Sequence, residues 1–275
     1  MTFSIVATDG SAWGVAVASK FLAVGAAVPA ARAGAGAVAT QALANLAYRP
    51  DGIALLSNGM GAASVLDALT TADEQRNQRQ AGVVDAAGNA ATYTGRDCHN
   101  WAGGVAGDGY AIQGNILTGP EVVAAMEQAW RASDPRAPLG RRLLSALTAG
   151  DEAGGDRRGR QSAALLVVTP DGGYGGGSDV YADLRVDDHP QPVPELARLL
   201  DLHDIYFTKP DPASALPLEG ALADEVRVRL HRLGHADENL DTALAGWAGI
   251  ENYEERLLTG KIDPVVLEQL RRLSS

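Results

Sequence analysis

Thr2 stands directly behind Met1, and that placement is the strongest chemical signal in the sequence. A methionine followed by a small residue is ordinarily removed during synthesis, which makes Thr2 the expected mature N-terminus. A terminal threonine carries a hydroxyl nucleophile and, in its own α-amine, a base that can activate it. Such an amine titrates near ~7.7–8.0, so a useful fraction is neutral at physiological pH. A neighbouring cation lowers that value by like-charge repulsion, and Lys20 is the candidate. Met-Thr opens many chains that do no chemistry, so the reading depends on a pocket around the residue.

Three further constellations are weaker. Asp187-Asp188-His189 has ligand types, but consecutive residues rarely converge on one ion, so a turn at a strand end is expected and no metal. The glycine run over 172–177 is not followed by Lys-Ser/Thr or by a helix, as a phosphate loop would be. Cys98 and His99 are adjacent, and side chains at i and i+1 usually diverge, so Cys98 is expected to be passive. No cofactor is expected.

The elements that must position Thr2 read as strands first. Residues 3–7 alternate, Asp9-Gly10 is a turn dipeptide, and 13–18 resume an extended pattern, which predicts a hairpin. A buried strand is predicted over 36–41, and two helices over 50–57 and 62–72. A second hairpin is predicted over 80–85 and 90–94, then a strand over 110–117. Helices follow over 120–130, through Val122, Val123, Met126 and Trp130, and over 139–149. A glycine- and arginine-rich loop over 153–160 leads to strands over 162–168 and 180–186 and a helix over 192–207. Clustered strands and helices imply antiparallel sheets with segregated helices, an α+β class. Beyond Lys209-Pro210-Asp211-Pro212 the pattern is helical. Leu222, Val226, Leu230 and Leu233 form one stripe, Leu240, Leu244 and Trp247 another, and Asp263-Pro264 opens a third helix. The domains are read as 1–207 and 208–275, the second too small for a strong core of its own and suited to packing or homo-oligomer formation.

Composition narrows the partners. The net charge of −11 leaves no basic face for nucleic acid. One cysteine in 275 residues cannot form an internal disulfide. The longest small-apolar stretch, residues 21–31, is too short to cross a membrane and contains Pro29. No basic region and apolar run mark a secretory leader, so a cytoplasmic location is expected. Glycine is in excess, 32 of 275 residues, about 12% against a usual ~7%. Its clusters, among them Gly34/Gly36, Gly103/Gly104, Gly114, Gly154/Gly155 and 172–177, are expected to ring Thr2.

Five ordered motifs together resemble the DUF1028 family. They are Thr2-Phe3-Ser4-Ile5-Val6-Ala7, Gly14-Val15-Ala16-Val17-Ala18-Ser19-Lys20, Ala39-Thr40-Gln41-Ala42, Gln113-Gly114-Asn115-Ile116-Leu117 and the segment from Gly154 to Ala164. The resemblance covers roughly residues 2–207 and implies an N-terminal-nucleophile (Ntn) hydrolase-like fold, a four-layer α-β-β-α sandwich with a small helical appendage. It implies Thr2 as nucleophile, Ser19 and Lys20 as helpers at the end of the second strand, and Asn115 as donor to an oxyanion. Asp156 and Ser162 would orient the α-amine, Thr40 and Gln41 would line the substrate site, and Arg157, Arg158 and Arg160 would read a substrate carboxylate. The implied function is hydrolysis of a small amide or ureide. The alternative is a non-catalytic binding or scaffold protein that associates through its helical tail. The tail, from Leu230-His231-Arg232-Leu233-Gly234-His235 onward, resembles a peptidoglycan-binding module, which implies a cell-wall glycan as a further partner.

Overall fold

Period-two alternation over residues 2–186 builds two antiparallel sheets. The structure is a computed structural model that describes residues 2–275; Met1 and its expected removal lie outside the described residues. The chain runs β1 (Thr2–Thr8), β2 (Trp13–Ser19), a one-turn α1 (Val24–Ala27), β3 (Pro29–Arg32), β4 (Gly36–Ala42), α2 (Tyr48–Ser57), α3 (Ala62–Thr71), β5 (Arg79–Asp85) and β6 (Ala90–Thr94). It continues with β7 (Gly103–Gly107), β8 (Tyr110–Asn115), α4 (Glu121–Ala132), α5 (Leu139–Glu152), β9 (Ser162–Val168), β10 (Val180–Val186) and α6 (Pro192–Phe207). One sheet has the order β10-β9-β2-β1-β8-β7, the other β3-β4-β5-β6.

The β1–β2 hairpin follows from its turn residues. Asp9 Oδ1 accepts from the N–H groups of Ser11 and Ala12, each at 2.9 Å, and Gly10 takes the positive φ of 90° that the turn requires. Alternation then sorts the side chains. Phe3, Ile5 and Ala7 enter a core with the buried stripes of α4, α5 and α6, including Met126, Leu143, Leu147 and Leu196. Val6, Val15 and Val17 face the other way and meet Ala37, Ala39 and Val84 of the four-stranded sheet. A third core joins Val38, Ala81 and Val83 to Val65, Leu66 and Leu69 of α3.

Three elements depart from the sequence reading. Residues 21–31, a featureless apolar stretch by sequence, hold α1 and the start of β3. Gly-Gly-Val-Ala-Gly over 103–107 has little strand propensity of its own, and becomes edge strand β7 by pairing with β8. The glycine clusters do not all ring Thr2. The run over 172–177 lies on the β9–β10 connection, near the Trp13–Val168 pair, at the opposite end of the strands from Ser19 and Ser162. Gly36 pairs with Asp85 at the corresponding far end of the second sheet.

The chain divides within α6, into a unit running to Leu200 and a second unit, Asp201–Ser275. The second contains β11 (Leu216–Pro217), α7 (Gly220–Arg232), α8 (Leu240–Ile250), β12 (Lys261–Ile262) and α9 (Pro264–Leu273). Val226, Leu230, Leu244, Trp247, Leu267 and Leu270 form its core. Asn239 caps α8 by accepting from Thr242 N at 3.1 Å, and Asp263 caps α9 by accepting from Val265 N at 2.9 Å. No helix among the described residues is long and apolar enough to cross a membrane.

Candidate active site

The inter-sheet face changes character along its strands. In the middle it is apolar, with Val6, Val15, Ala39 and Val84. Toward one end the same alternate positions turn polar. Ser162, Ser19, Thr2 and Asn115 form a row across β9, β2, β1 and β8, with Ser19 paired to Ser162 and Thr2 paired to Asn115. One step inward, Ser4 pairs with Gln113. On the opposing sheet, Gln41 pairs with Gln80, and Gln80 with Thr94. Thr2 is 6% exposed, Asn115 1%, and Ser4, Gln80 and Gln113 not at all.

Burial obliges these groups to bond to each other. Thr2 Oγ1 lies 3.1 Å from Ser19 Oγ, and either can donate. The Thr2 carbonyl accepts from Gln41 Nε2 at 3.2 Å and, at 3.5 Å, from Asn115 Nδ2. Gln80 Oε1 accepts from Gln41 Nε2 at 2.8 Å and from Asn115 Nδ2 at 2.9 Å. Gln80 Nε2 donates to the Gly114 carbonyl at 2.7 Å and to Thr94 Oγ1 at 2.9 Å. Ser4 Oγ donates to Gln41 Oε1 at 2.6 Å and accepts from Gln113 Nε2 at 2.7 Å. Gln113 Oε1 is buried without a hydrogen-bond partner among the described residues. It lies over Gly82, where an added Cβ would sit 2.1 Å from it.

The other residues singled out in the sequence divide into two groups. Gln41 joins Thr2 and Asn115 in the network, whereas Thr40 Oγ1 turns to the Asn45 carbonyl at 3.2 Å. Around the end of β2, Asp156 Oδ2 accepts from Lys20 N at 2.7 Å, and Arg158 Nη2 donates to the Lys20 carbonyl at 2.9 Å. This pair clamps the backbone immediately after Ser19. The Lys20 ammonium is exposed and donates to the Arg160 carbonyl at 3.2 Å. Arg160 Nε donates to Asp151 Oδ1 at 2.7 Å, and Arg158 bonds to Asp156, so both guanidinium groups already hold carboxylates. Arg157 N donates to the Ile116 carbonyl at 3.2 Å, and its side chain is exposed. Ser162 Oγ donates to the Phe21 carbonyl and accepts from Val24 N, fixing the turn after Lys20.

Beside Asn115 opens a cavity of about 380 Å³, at the small end of the ~300–1,000 Å³ usual for ligand pockets. Ala42 and Ile116, the residues next to Gln41 and Asn115, form part of its wall, with φ of 69° and 50°. Left-handed backbone at a β-branched residue is uncommon, and such strain costs about 1–3 kcal/mol and gathers at functional sites. Backbone bonds hold both: Ile116 N donates to the His99 carbonyl at 2.9 Å, and Leu43 N to the Gln78 carbonyl at 3.2 Å. Arg79 braces the same wall. Its Nη1 donates to the Leu43 carbonyl at 2.5 Å, its Nε to Asp73 Oδ2 at 2.9 Å, and its carbonyl accepts from Cys98 Sγ at 3.3 Å. The Arg79 guanidinium holds the Asp73 carboxyl well below the usual carboxylate range, helped by Asn45 and Tyr48. Burial pushes the Cys98 thiol up.

Ser4, Gln80 and Gln113 carry no signal as single residues. The signal lies in phase: Val17 to Ser19, Ala39 to Gln41, Ala111 to Gln113, and Val6 to Ser4 each step from apolar to polar on one strand face.

The family described as "Family of unknown function (DUF1028)" matches residues 2–196. A second, described as "Putative peptidoglycan binding domain", matches 206–270. Among solved structures, the DUF1028 protein SPO2555 from Silicibacter pomeroyi is 32% identical, with a TM-score of 0.66, covering 82% of this chain and 92% of its own. Anbu (ancestral beta-subunit) from Yersinia bercovieri is 13% identical over 73% of this chain and 93% of its own, with a TM-score of 0.33, too low to argue from. A search of curated proteins finds no match to the chain.

Proposed function

We propose that this chain, which belongs to the DUF1028 family, is an Ntn-type amidohydrolase acting on a small amide or ureide, with Thr2 as nucleophile once Met1 is removed. The observation that carries the reading is Thr2 itself. It opens a central strand, its hydroxyl 3.1 Å from Ser19 Oγ, in the polar end of the inter-sheet layer and paired across strands with Asn115, which lines the cavity. The three cores between helices, sheet, sheet and helices support a four-layer α-β-β-α sandwich of Ntn-hydrolase type.

In this mechanism Thr2 Oγ attacks the amide carbonyl carbon, and its proton passes through a water to the α-amine. The amine then protonates the leaving nitrogen as the C–N bond breaks, leaving an ester on Thr2. Water attacks that ester, gives its proton to the same amine, and releases the acid with the threonine hydroxyl restored. Ser19 Oγ orients the nucleophile. The Asp156–Arg158 clamp on Lys20 fixes Ser19 in turn. Asn115 serves the developing oxyanion by exchanging its long, 3.5 Å bond to the Thr2 carbonyl for one to the substrate oxygen, while Gln80 keeps the other proton. The test is turnover of a panel of small amides and ureides by wild type, Thr2→Ala and Thr2→Ser. Thr2→Ala should lose turnover and Thr2→Ser retain part of it; unchanged turnover in Thr2→Ala removes Thr2 from the mechanism.

One observation favours a non-catalytic binding protein instead: both protons of Asn115 Nδ2 already have acceptors. That reading predicts a functional protein with Met1 retained.

A further inference from the structure

The cavity beside Asn115 has a feature the nucleophile reading does not use, the chemistry of its lining. Its walls are set by the left-handed residues Ala42 and Ile116, and its apolar surface includes Leu43, an exposed side chain. Asp97 brings a carboxylate to the lining, next to His99 and the Cys98 thiol, and no lysine or arginine is among the described lining residues. Arg96 approaches Asp97 only to 3.9 Å, and both side chains are largely exposed, so the pair neutralises little. In the adjacent loop Arg158 and Arg160 hold Asp156 and Asp151, and Arg157, whose N–H donates to the Ile116 carbonyl, is not among the described lining residues. A ligand carboxylate therefore meets a like charge here, whereas an ammonium meets an opposite one.

We propose that this cavity is the specificity subsite for a substrate arm that is short, partly apolar and terminated by an amino group, with Asp97 as its partner. The assignment rests on the reading that chemistry occurs at Thr2. Asn115 links the two, lining the cavity while its amide lies 3.5 Å from the Thr2 carbonyl. The strained wall residues follow directly on Gln41 and Asn115, so an arm seated against them is referenced to the same strands that carry the site.

Cys98 gives a readout independent of turnover. It is the sole cysteine of the chain and lines the cavity, so an occupant slows its alkylation. The experiment follows iodoacetamide modification of Cys98 in the full chain by intact mass, with three acetamides of equal length whose arms end in ammonium, methyl or carboxylate. The ammonium compound should protect at about two- to fivefold lower concentration than the methyl one, the worth of a half-exposed ion pair, and the carboxylate least. Asp97→Asn should erase that difference and Asp97→Lys reverse the order; the exposed position allows both to fold. Absence of protection by every compound, or an order untouched by Asp97→Lys, overturns the proposal. Should Cys98 alkylate too slowly, backbone amide shifts of Ile116 and Ala42 under the same titrations rank the three compounds instead. Repeating the assay in Thr2→Ala separates the two readings. Protection that persists there with no turnover in wild type sinks the nucleophile and keeps the subsite; turnover without charge preference does the reverse.

Discussion

Asn115 Nδ2 donates to Gln80 Oε1 at 2.9 Å, joining the strand that pairs with Thr2 to the opposite sheet. The same oxygen accepts from Gln41 Nε2, and Gln80 Nε2 reaches Gly114 O and Thr94 Oγ1. Gln80 Nε2 also reaches the Gly103 carbonyl at 3.2 Å, so Gln80 is the hub of a buried network that joins two amide donors to three acceptors. Gln80→Leu removes these bonds together; Gln41 Nε2 and Asn115 Nδ2 keep the Thr2 carbonyl as acceptor, and each buried group left unsatisfied costs about 1–3 kcal/mol. We expect a loss of at least ~3 kcal/mol in urea unfolding. A loss below ~1 kcal/mol would mean that the network contributes little.

Gly82 is required by Gln113. An added Cβ would stand 2.1 Å from Gln113 Oε1, and the amide cannot retreat freely because its nitrogen holds Ser4 Oγ at 2.7 Å. Gly82→Ala should cost roughly 1–3 kcal/mol, as overpacking does. Combining it with Gln113→Ala should relieve the clash, giving a favourable coupling energy in a double-mutant cycle. Simple additivity would rule out the contact as the cause.

Asp73 makes stability depend on acid pH in a defined direction. Arg79 is the main cause of its lowered pKa, with bonds from Asn45 and Tyr48 adding to the effect. A carboxyl depressed in the folded state contributes stability above its unfolded value near ~3.9, and loses it as pH falls toward the folded one. Wild type should therefore exceed Asp73→Asn by a constant margin above pH ~5, with the margin shrinking as pH drops below ~4. A margin independent of pH down to ~2 contradicts the assignment.

In the second unit, Asp263 joins two roles. It caps α9 through Val265 N and pairs with Arg256 Nη1 at 2.5 Å, both side chains being buried. Arg256 Nε also donates to the Ile205 carbonyl at 2.5 Å. Asp263→Ala leaves an uncompensated buried cation and an open cap, for which ~3–5 kcal/mol is expected. Hydrogen exchange should show Asp201–Ser275 losing protection; uniform protection as in wild type contradicts the role given to the pair.

Much of the fold is legible in the sequence because burial writes itself as period. Val122, Val123, Met126 and Trp130 announce the buried face of α4, and Asp9-Gly10 the first hairpin. β7 is not legible, since Gly-Gly-Val-Ala-Gly is a strand only by virtue of its partner β8. In the site, Thr2 stands out by chain position, and Ser19, Gln41 and Asn115 by resemblance. Gln80 does not, and Gln113 opens one of the resembling motifs without being given a role, because a buried glutamine's part is recognised only when the facing sheet is known. Lys20 and Asp156 stand out for side-chain chemistry, yet what joins them is a bond from the Lys20 backbone to the Asp156 carboxylate. Sequence shows residue types and not which atoms meet.

A Thr2 with a free amine and a reactive hydroxyl is open to acylation. Protein expressed in its native host is exposed to a threonine-reactive β-lactone and its intact mass read, with the adduct mapped by digestion. The expected product is a chain lacking Met1 that gains one acyl group on Thr2, with no adduct in Thr2→Ala. A chain that retains Met1 and stays unmodified, or equal labelling of Thr2→Ala, would contradict the role given to Thr2.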